Sequence, residues 1–245
     1  MSNISESTQV ILPHAIKSEK NFNTIKRRAE EIGMRVNSAK TQLLCISGST
    51  SATVRSYIRT ECGNEIKSAP ELKILGFWFG TRPNIAVHVT KLAEKFRARL
   101  WSLRHLKRSG MLPGDLLFIY LSILRPVLDF AAPTYHSLLS ATQTETLETL
   151  QRKALKIVYG NSVSYREALA IANIQTLNDR RAELLKKFAE KTLKNPRYSD
   201  GWFPKIPQKQ YKTRQNRPFL ECFSRTERMK KNPITYMRKL LNDLY

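Results

Sequence analysis

The sequence predicts an α+β protein, a small β-hairpin and helix segment followed by a mostly α-helical domain. Three observations carry this. Short apolar runs that alternate or read as strands are confined to the region before residue 81. Beyond Pro83 apolar residues recur at spacings of three and four, the period of helices. The aromatic and basic content then rises from residue 195. We divide the chain at 1–82, 83–194 and 195–245.

In the first part, residues 1–15 show no clear period and are expected to form an irregular lead-in. "SEKNFNTIKRRAEEIGM" predicts a helix with Ser18 as N-cap, an inward face of Phe22, Ile25, Ala29 and Ile32, and Gly33 as its stop. A turn around Asn37 and Ser38 leads into a strand over 41–47. "TVRSYIRT" alternates as a second strand, "CGNE" is a turn before Ile66, and "ELKILGFWFG" closes the region. In that last stretch alternation puts Leu72, Ile74, Gly76 and Trp78 on one face and Leu75, Phe77 and Phe79 on the other. Both faces are apolar, so the strand is expected to be buried twice or to meet another surface. Gly76 then admits a close backbone approach or marks a bulge.

The second part opens with an amphipathic helix over 85–107, whose inner face is Val89, Leu92, Phe96, Leu100 and Leu103. "PGDLLFIYLSIL" predicts another, ended by the Arg125-Pro126 step. "TQTETLETLQRKALKIVYG" is a third, with Leu147, Leu150, Ala154 and Ile157 inward and Gly160 at its exit. Ser164 with Glu167 forms a capping box, and Thr176 with Asp179 a similar arrangement. A last helix is expected over 233–241. There is no internal repeat.

The formal net charge is +22, from 42 Lys and Arg against 20 Asp and Glu. Such an excess points first to nucleic acid and second to an anionic membrane surface. Counted along the chain, residues 82–112 carry eight basic groups and one acid, net +7, and 194–245 carry 13 against four, net +9. Residues 113–193, with ten against eight, are nearly neutral. Lys91, Lys95 and Arg99 lie along one flank of the helix over 85–107, and Arg97, Arg104 and Arg108 along the opposite flank. The alternative is a solvated basic face; ordinary solvated faces mix signs, so one acid among nine charges favours phosphates over it. In the last segment Arg197, Trp202, Phe203, Lys205, Tyr211, Lys212, Arg214, Arg217 and Phe219 interleave cations with aromatics, suited to phosphate contact and base stacking. The alternative is an extension whose aromatics pack on the helical domain.

No run of apolar residues reaches membrane-spanning length, and "MSNISESTQV" lacks a leader pattern. The expected location is intracellular, nuclear or cytoplasmic, with no membrane partner and no secretion. Cys45, Cys62 and Cys222 are odd in number and widely spaced, and neither they nor the four histidines have zinc-ligand spacing. No nucleophile constellation or Walker loop is present.

"EEIGMRVNSAKTQLLCIS", "ELKILGFWFG", "LRPVLDFAAPTYHSLL", "LETLQRKALKIVYG", "SYREAL" and the Arg180-Arg181 pair, in that order over about residues 20–194, resemble the C-terminal part of non-LTR retrotransposon reverse transcriptases. The resemblance implies a partial palm over 1–82, a thumb-like helical domain over 83–194 and a C-terminal extension. It implies that Lys40 lies near the incoming nucleotide's phosphates, although Asn37-x-x-Lys40 read alone is equally a solvated turn. It also implies that Gly76, Phe77 and Trp78 belong to the primer grip at the palm–thumb junction. RNA or an RNA/DNA hybrid is the implied partner, with a separate N-terminal polymerase half as another.

Polymerases of this kind place two Mg²⁺ ions on aspartates. Here the five aspartates, Asp115, Asp129, Asp179, Asp200 and Asp243, all follow the palm-like part. Glu30 and Glu31 are adjacent on a helix and diverge, so they cannot replace the pair. No catalytic residue, metal ligand or cofactor is therefore assigned. The expected function is that of a truncated, reverse-transcriptase-derived protein that retains nucleic-acid binding without polymerase activity of its own. The rivals are a helical interaction protein that docks a protein or ribonucleoprotein, and one part of an active polymerase whose catalytic half is another chain.

Overall fold

The computed structural model describes residues 9–11, 15–37, 40–46, 57–59, 65–82, 84–206, 218–221 and 223–244. It has the mixed fold expected, a region of short strands followed by a mostly helical domain. The chain forms two compact units, Met1–His88 and Val89–Tyr245.

The first unit contains β1 (Gln9–Ile11), α1 (Ala15–Glu31), β2 (Gln42–Leu44), β3 (Tyr57–Arg59), β4 (Glu65–Lys67), β5 (Glu71–Ile74) and β6 (Phe77–Gly80). The strands pair two by two: β1 parallel to β2, β3 antiparallel to β4, and β5 antiparallel to β6. Part of the expected lead-in is thus a strand. Helix α1 begins at Ala15, before Ser18, because Ala15, Ile16 and Lys17 are themselves compatible with a helix. Its buried anchor is Phe22, which clusters with Leu43, Ile58 and Ile66, while Ile25 and Ile32 are exposed rather than inward. Gly33, at φ 77°, does end the helical turn. The strand expected over 41–47 is three residues of β2, and Ser47 lies outside the described residues, as do Ser38 and 53–56.

The stretch 71–80 is not one strand. It is a hairpin in which Leu72 faces Phe79, Lys73 faces Trp78 and Ile74 faces Phe77. Leu75 (φ 47°) and Gly76 (φ 87°) form the turn, both left-handed as a type I′ hairpin turn requires. Gly76 is therefore a turn residue, and Leu75 stands 93% exposed at the tip. A close approach occurs at Gly80. A Cβ there would sit 2.7 Å from Val87 Cγ2.

Helix α2 (Ala86–Arg108) starts at the end of the first unit and continues into the second. Val89, Leu92, Phe96, Leu100 and Leu103 are all buried, as their spacing predicts. The second unit adds α3 (Pro113–Ile119), a π-helical turn (Tyr120–Leu124), α4 (Arg125–Asp129), α5 (Ala132–Tyr135), a 3-10 turn (His136–Leu138), α6 (Ala141–Tyr159), α7 (Tyr165–Ala172), α8 (Leu177–Leu193), α9 (Pro196–Trp202), α10 (Glu227–Lys230) and α11 (Pro233–Asn242).

The Arg125-Pro126 step does not end the helix. Proline lacks an N–H and crowds the preceding turn, and the wider π turn absorbs both, with the Arg125 N–H reaching back to the Tyr120 carbonyl. The helical stretch Pro113–Leu138 is consequently 26 residues with a mean hydropathy of 1.6 in its most apolar window. By length and composition it is sufficient to cross a membrane. Its inner face, Leu116, Tyr120, Leu124 and Leu128, is buried in the second unit.

Helix α6 is capped reciprocally by Ser140 and Gln143, and α7 by Ser164 and Glu167. Helix α8 is the hub, packing against α4, α5, α6, α9 and α11. The described part of 195–245 belongs to this unit. Phe203 and Phe219 meet edge to face and are buried with Leu185, Ala189, Met237 and Leu241.

A polar chain crosses the core of the second unit. The Tyr120 hydroxyl donates to Gln151 Oε1 (2.7 Å), and Gln151 Nε2 donates to the Tyr165 hydroxyl (3.0 Å) and the Gln175 carbonyl (3.1 Å). Tyr165 in turn donates to Glu148. That buried carboxylate accepts the backbone N–H groups of Leu177 (3.1 Å) and Asn178 (3.2 Å), the first turn of α8. Arg181, one turn further along, is fully buried.

Candidate nucleic-acid interface

On a helix each residue advances by about 100°, so Arg97, Trp101, Arg104 and Arg108 fall within about 60° of one another on α2. They are exposed, Trp101 to 64%. Its ring stacks on His105 at 5.5 Å and 5° between planes, one turn further on. From Arg97 to Arg108 the stripe is about 16 Å long, the axial length of about five nucleotides of one strand.

The opposite flank is differently employed. Lys91 pairs with Glu94 at 3.7 Å. Arg99 is half-buried and donates from Nη1 to the Ile123 carbonyl at 2.7 Å, inside the π turn. Only Lys95 of that set is both exposed and without a salt-bridge partner among the described residues. Lys107 also works structurally: its ammonium donates to the carbonyls of Ile157 and Val158 near the C-terminus of α6. Periodicity alone shows which flank a cation occupies, but not that its head reaches a backbone carbonyl.

The other sequence-derived candidates lie in the first unit. Asn37 organises a turn in which its side-chain oxygen accepts the Lys40 N–H at 3.2 Å, and Lys40 is exposed. Phe77 lies flat on His88, ring centroids 3.9 Å apart, and Lys73 sits over the Trp78 ring at 5.7 Å. Both are half-buried, Phe77 stacked on a ring and Trp78 under a lysine ammonium. Lys212 and Arg214, with Tyr211 and Arg217, lie outside the described residues. Phe203 and Phe219 are core side chains and have no face to offer a base.

His88 is buried, and its Nδ1 accepts the Trp78 N–H at 3.3 Å, which requires the neutral ring. Burial lowers its pKa to about 4. A folded-state value below the unfolded one contributes stability above about pH 6.5, which is lost as pH falls towards 4. That loss should be on the order of 1–3 kcal/mol. His88→Asn, whose Oδ1 can take the same N–H, should show a shallower decline in thermal melts between pH 7 and 4.5. Equal slopes in both proteins would remove this assignment.

No group of three His, Cys, Asp or Glu side chains among the described residues could hold a metal ion. The chain matches no protein-family model, no curated protein and no solved structure.

Proposed function

We propose that this protein is a reverse-transcriptase-like nucleic-acid-binding protein that holds an RNA duplex or RNA/DNA hybrid without performing two-metal phosphoryl transfer. One observation carries the reading: three arginines, Arg97, Arg104 and Arg108, share an exposed stripe of α2 without an acidic partner among the described residues. They sit in a segment of net charge +7 and surround an exposed tryptophan. Guanidinium groups suit phosphate through planar, charge-assisted hydrogen bonds. A Trp ring adds stacking or apolar contact with sugar and base.

The test is equilibrium binding to a 20-base-pair RNA/DNA hybrid over a range of salt, beside primer extension with Mg²⁺ or Mn²⁺. Binding that weakens linearly in log salt, with no nucleotide incorporated, is the expected result. Absence of binding at 50 mM salt, or template-dependent incorporation by pure protein, would overturn it.

A second reading, a protein-docking module, is favoured by one feature. The outer side of α3, the π turn and α4 carries Phe118 (71% exposed), Ile123 (52%) and, just beyond α4, Phe130 (49%). Large apolar side chains exposed along one helical stretch suit a docking surface.

A further inference from the structure

We infer that the nucleic-acid contact extends from α2 into the groove between α2 and α6, and that this groove takes the phosphate backbone of one strand. The inference rests on the function proposed above and locates its second wall. The groove is an open depression of about 530 Å³, with Arg97 on one side and a stripe of α6 on the other, including Thr142, Glu145, Thr146, Thr149 and Lys153. Residues 142, 146, 149 and 153 recur at four, three and four, so they form one continuous face of α6.

Arg97 lies against the first half of α6, and Lys107, ten residues on, reaches the carbonyls of Ile157 and Val158. Each wall of the groove therefore carries one cation, Arg97 from α2 and Lys153 from α6. Beyond the lining, Arg104 and Arg108 continue the exposed stripe of α2, and Lys156 lies about 60° round α6 from Lys153. Lys153 and Lys156 are exposed and have no acidic partner among the described residues. A cation on each wall, with further cations beyond each along its helix, suits a polyanion.

The groove contains one acid, Glu145, and its charge is already engaged. Arg152 Nη2 donates to Glu145 Oε1 at 3.1 Å, and the Thr149 hydroxyl lies 3.3 Å from the same oxygen. Apart from Arg97, Lys153 and Glu145, the lining residues are Thr, Ala and Leu, which carry no planar donor–acceptor pair of the kind that reads base edges. The expected contact is with phosphate and sugar, and insensitive to base sequence.

Four proteins and two ligands test this. Wild type, Lys153→Glu, Glu145→Gln and Lys186→Glu are titrated with the 20-base-pair hybrid, and poly-L-glutamate is used as competitor. Lys186 is an exposed lysine on α8, so its variant makes the same charge change away from the groove. Lys153→Glu should weaken binding at least tenfold and flatten the log K–log salt slope by about 1–2, whereas Lys186→Glu should change affinity less than threefold. Glu145→Gln should strengthen binding about two- to fivefold. Unchanged circular-dichroism melts would establish that these exposed changes leave the fold intact. If the wild type binds but Lys153→Glu and Lys186→Glu lose equally, the groove assignment falls while the proposed function stands. If poly-L-glutamate competes as well as the hybrid, the groove takes acidic peptide and the inference is overturned. If the wild type does not bind, the proposed function itself fails.

Discussion

Glu148→Ala should destabilise the protein by about 3–5 kcal/mol, the largest effect expected of a single substitution here. The carboxylate is buried and accepts three donors: the Leu177 and Asn178 N–H groups and the Tyr165 hydroxyl. The two amides belong to the first turn of α8, where no intrahelical acceptor exists and the helix dipole favours a negative charge. Alanine would leave the buried Leu177 amide without an acceptor, at about 1–3 kcal/mol, and would take one from the half-buried Asn178 amide and Tyr165 phenol as well. It would also remove negative charge near Arg181, whose guanidinium nitrogens are buried without a hydrogen-bond partner among the described residues. Burial pulls the Arg181 pKa down, while Tyr135, Glu148 and Asp129 hold it up. Glu148→Gln keeps an acceptor oxygen but not the charge, and should cost about half as much. Urea unfolding of the three proteins measures this. A loss below 1 kcal/mol for alanine would mean that the α8 cap is not what the geometry indicates.

The sequence was most informative where one period or one cap decides the structure. Val89 through Leu103 recur at three and four, and α2 follows from that alone. Ser164 and Glu167 form a local box whose partners are three residues apart. It was least informative where the deciding partner is distant. Glu148 and Gln151 look like surface residues of an amphipathic helix until residues 165, 175, 177 and 178 are brought to them. Arg99 and Lys107 looked like two more cations, yet each reaches a carbonyl far along the chain. Pro126 and Gly76 misled for a different reason. Each has two structural meanings, helix end or π-turn partner, strand gap or hairpin turn, and flanking residues do not separate them. The aromatic tail shows the same ambiguity, since Phe203 and Phe219 suit a stacking platform as well as a core until α11 covers them.

Replacing Arg97, Arg104 and Arg108 together with Ala should weaken binding to duplex nucleic acid by about 10²–10³-fold at 0.1 M salt. The contact should neutralise about four to six phosphates, giving a log K–log salt slope of about −4 to −5 on duplex DNA at about −0.9 per contact. Removing three contacts should flatten that slope by about 2–3, equally for all sequences, because counterion release carries no base information. The same change should cost little stability, as the three side chains are exposed and unpaired among the described residues. The comparison with Lys91, Lys95 and Arg99 is what makes the experiment sharp. That triple alanine variant should change the slope by about 1 at most, since Lys91 is paired with Glu94 and Arg99 is committed to the Ile123 carbonyl. It should instead lower stability, because the π turn loses a charge-assisted bond worth about 1.5–3 kcal/mol. The sequence assigns the two flanks equal parts in binding, whereas the geometry gives binding to one and support of the π turn to the other. Equal slopes in the two variants, at equal stability, would return both flanks to the same role and reject the division drawn from the hydrogen bonds.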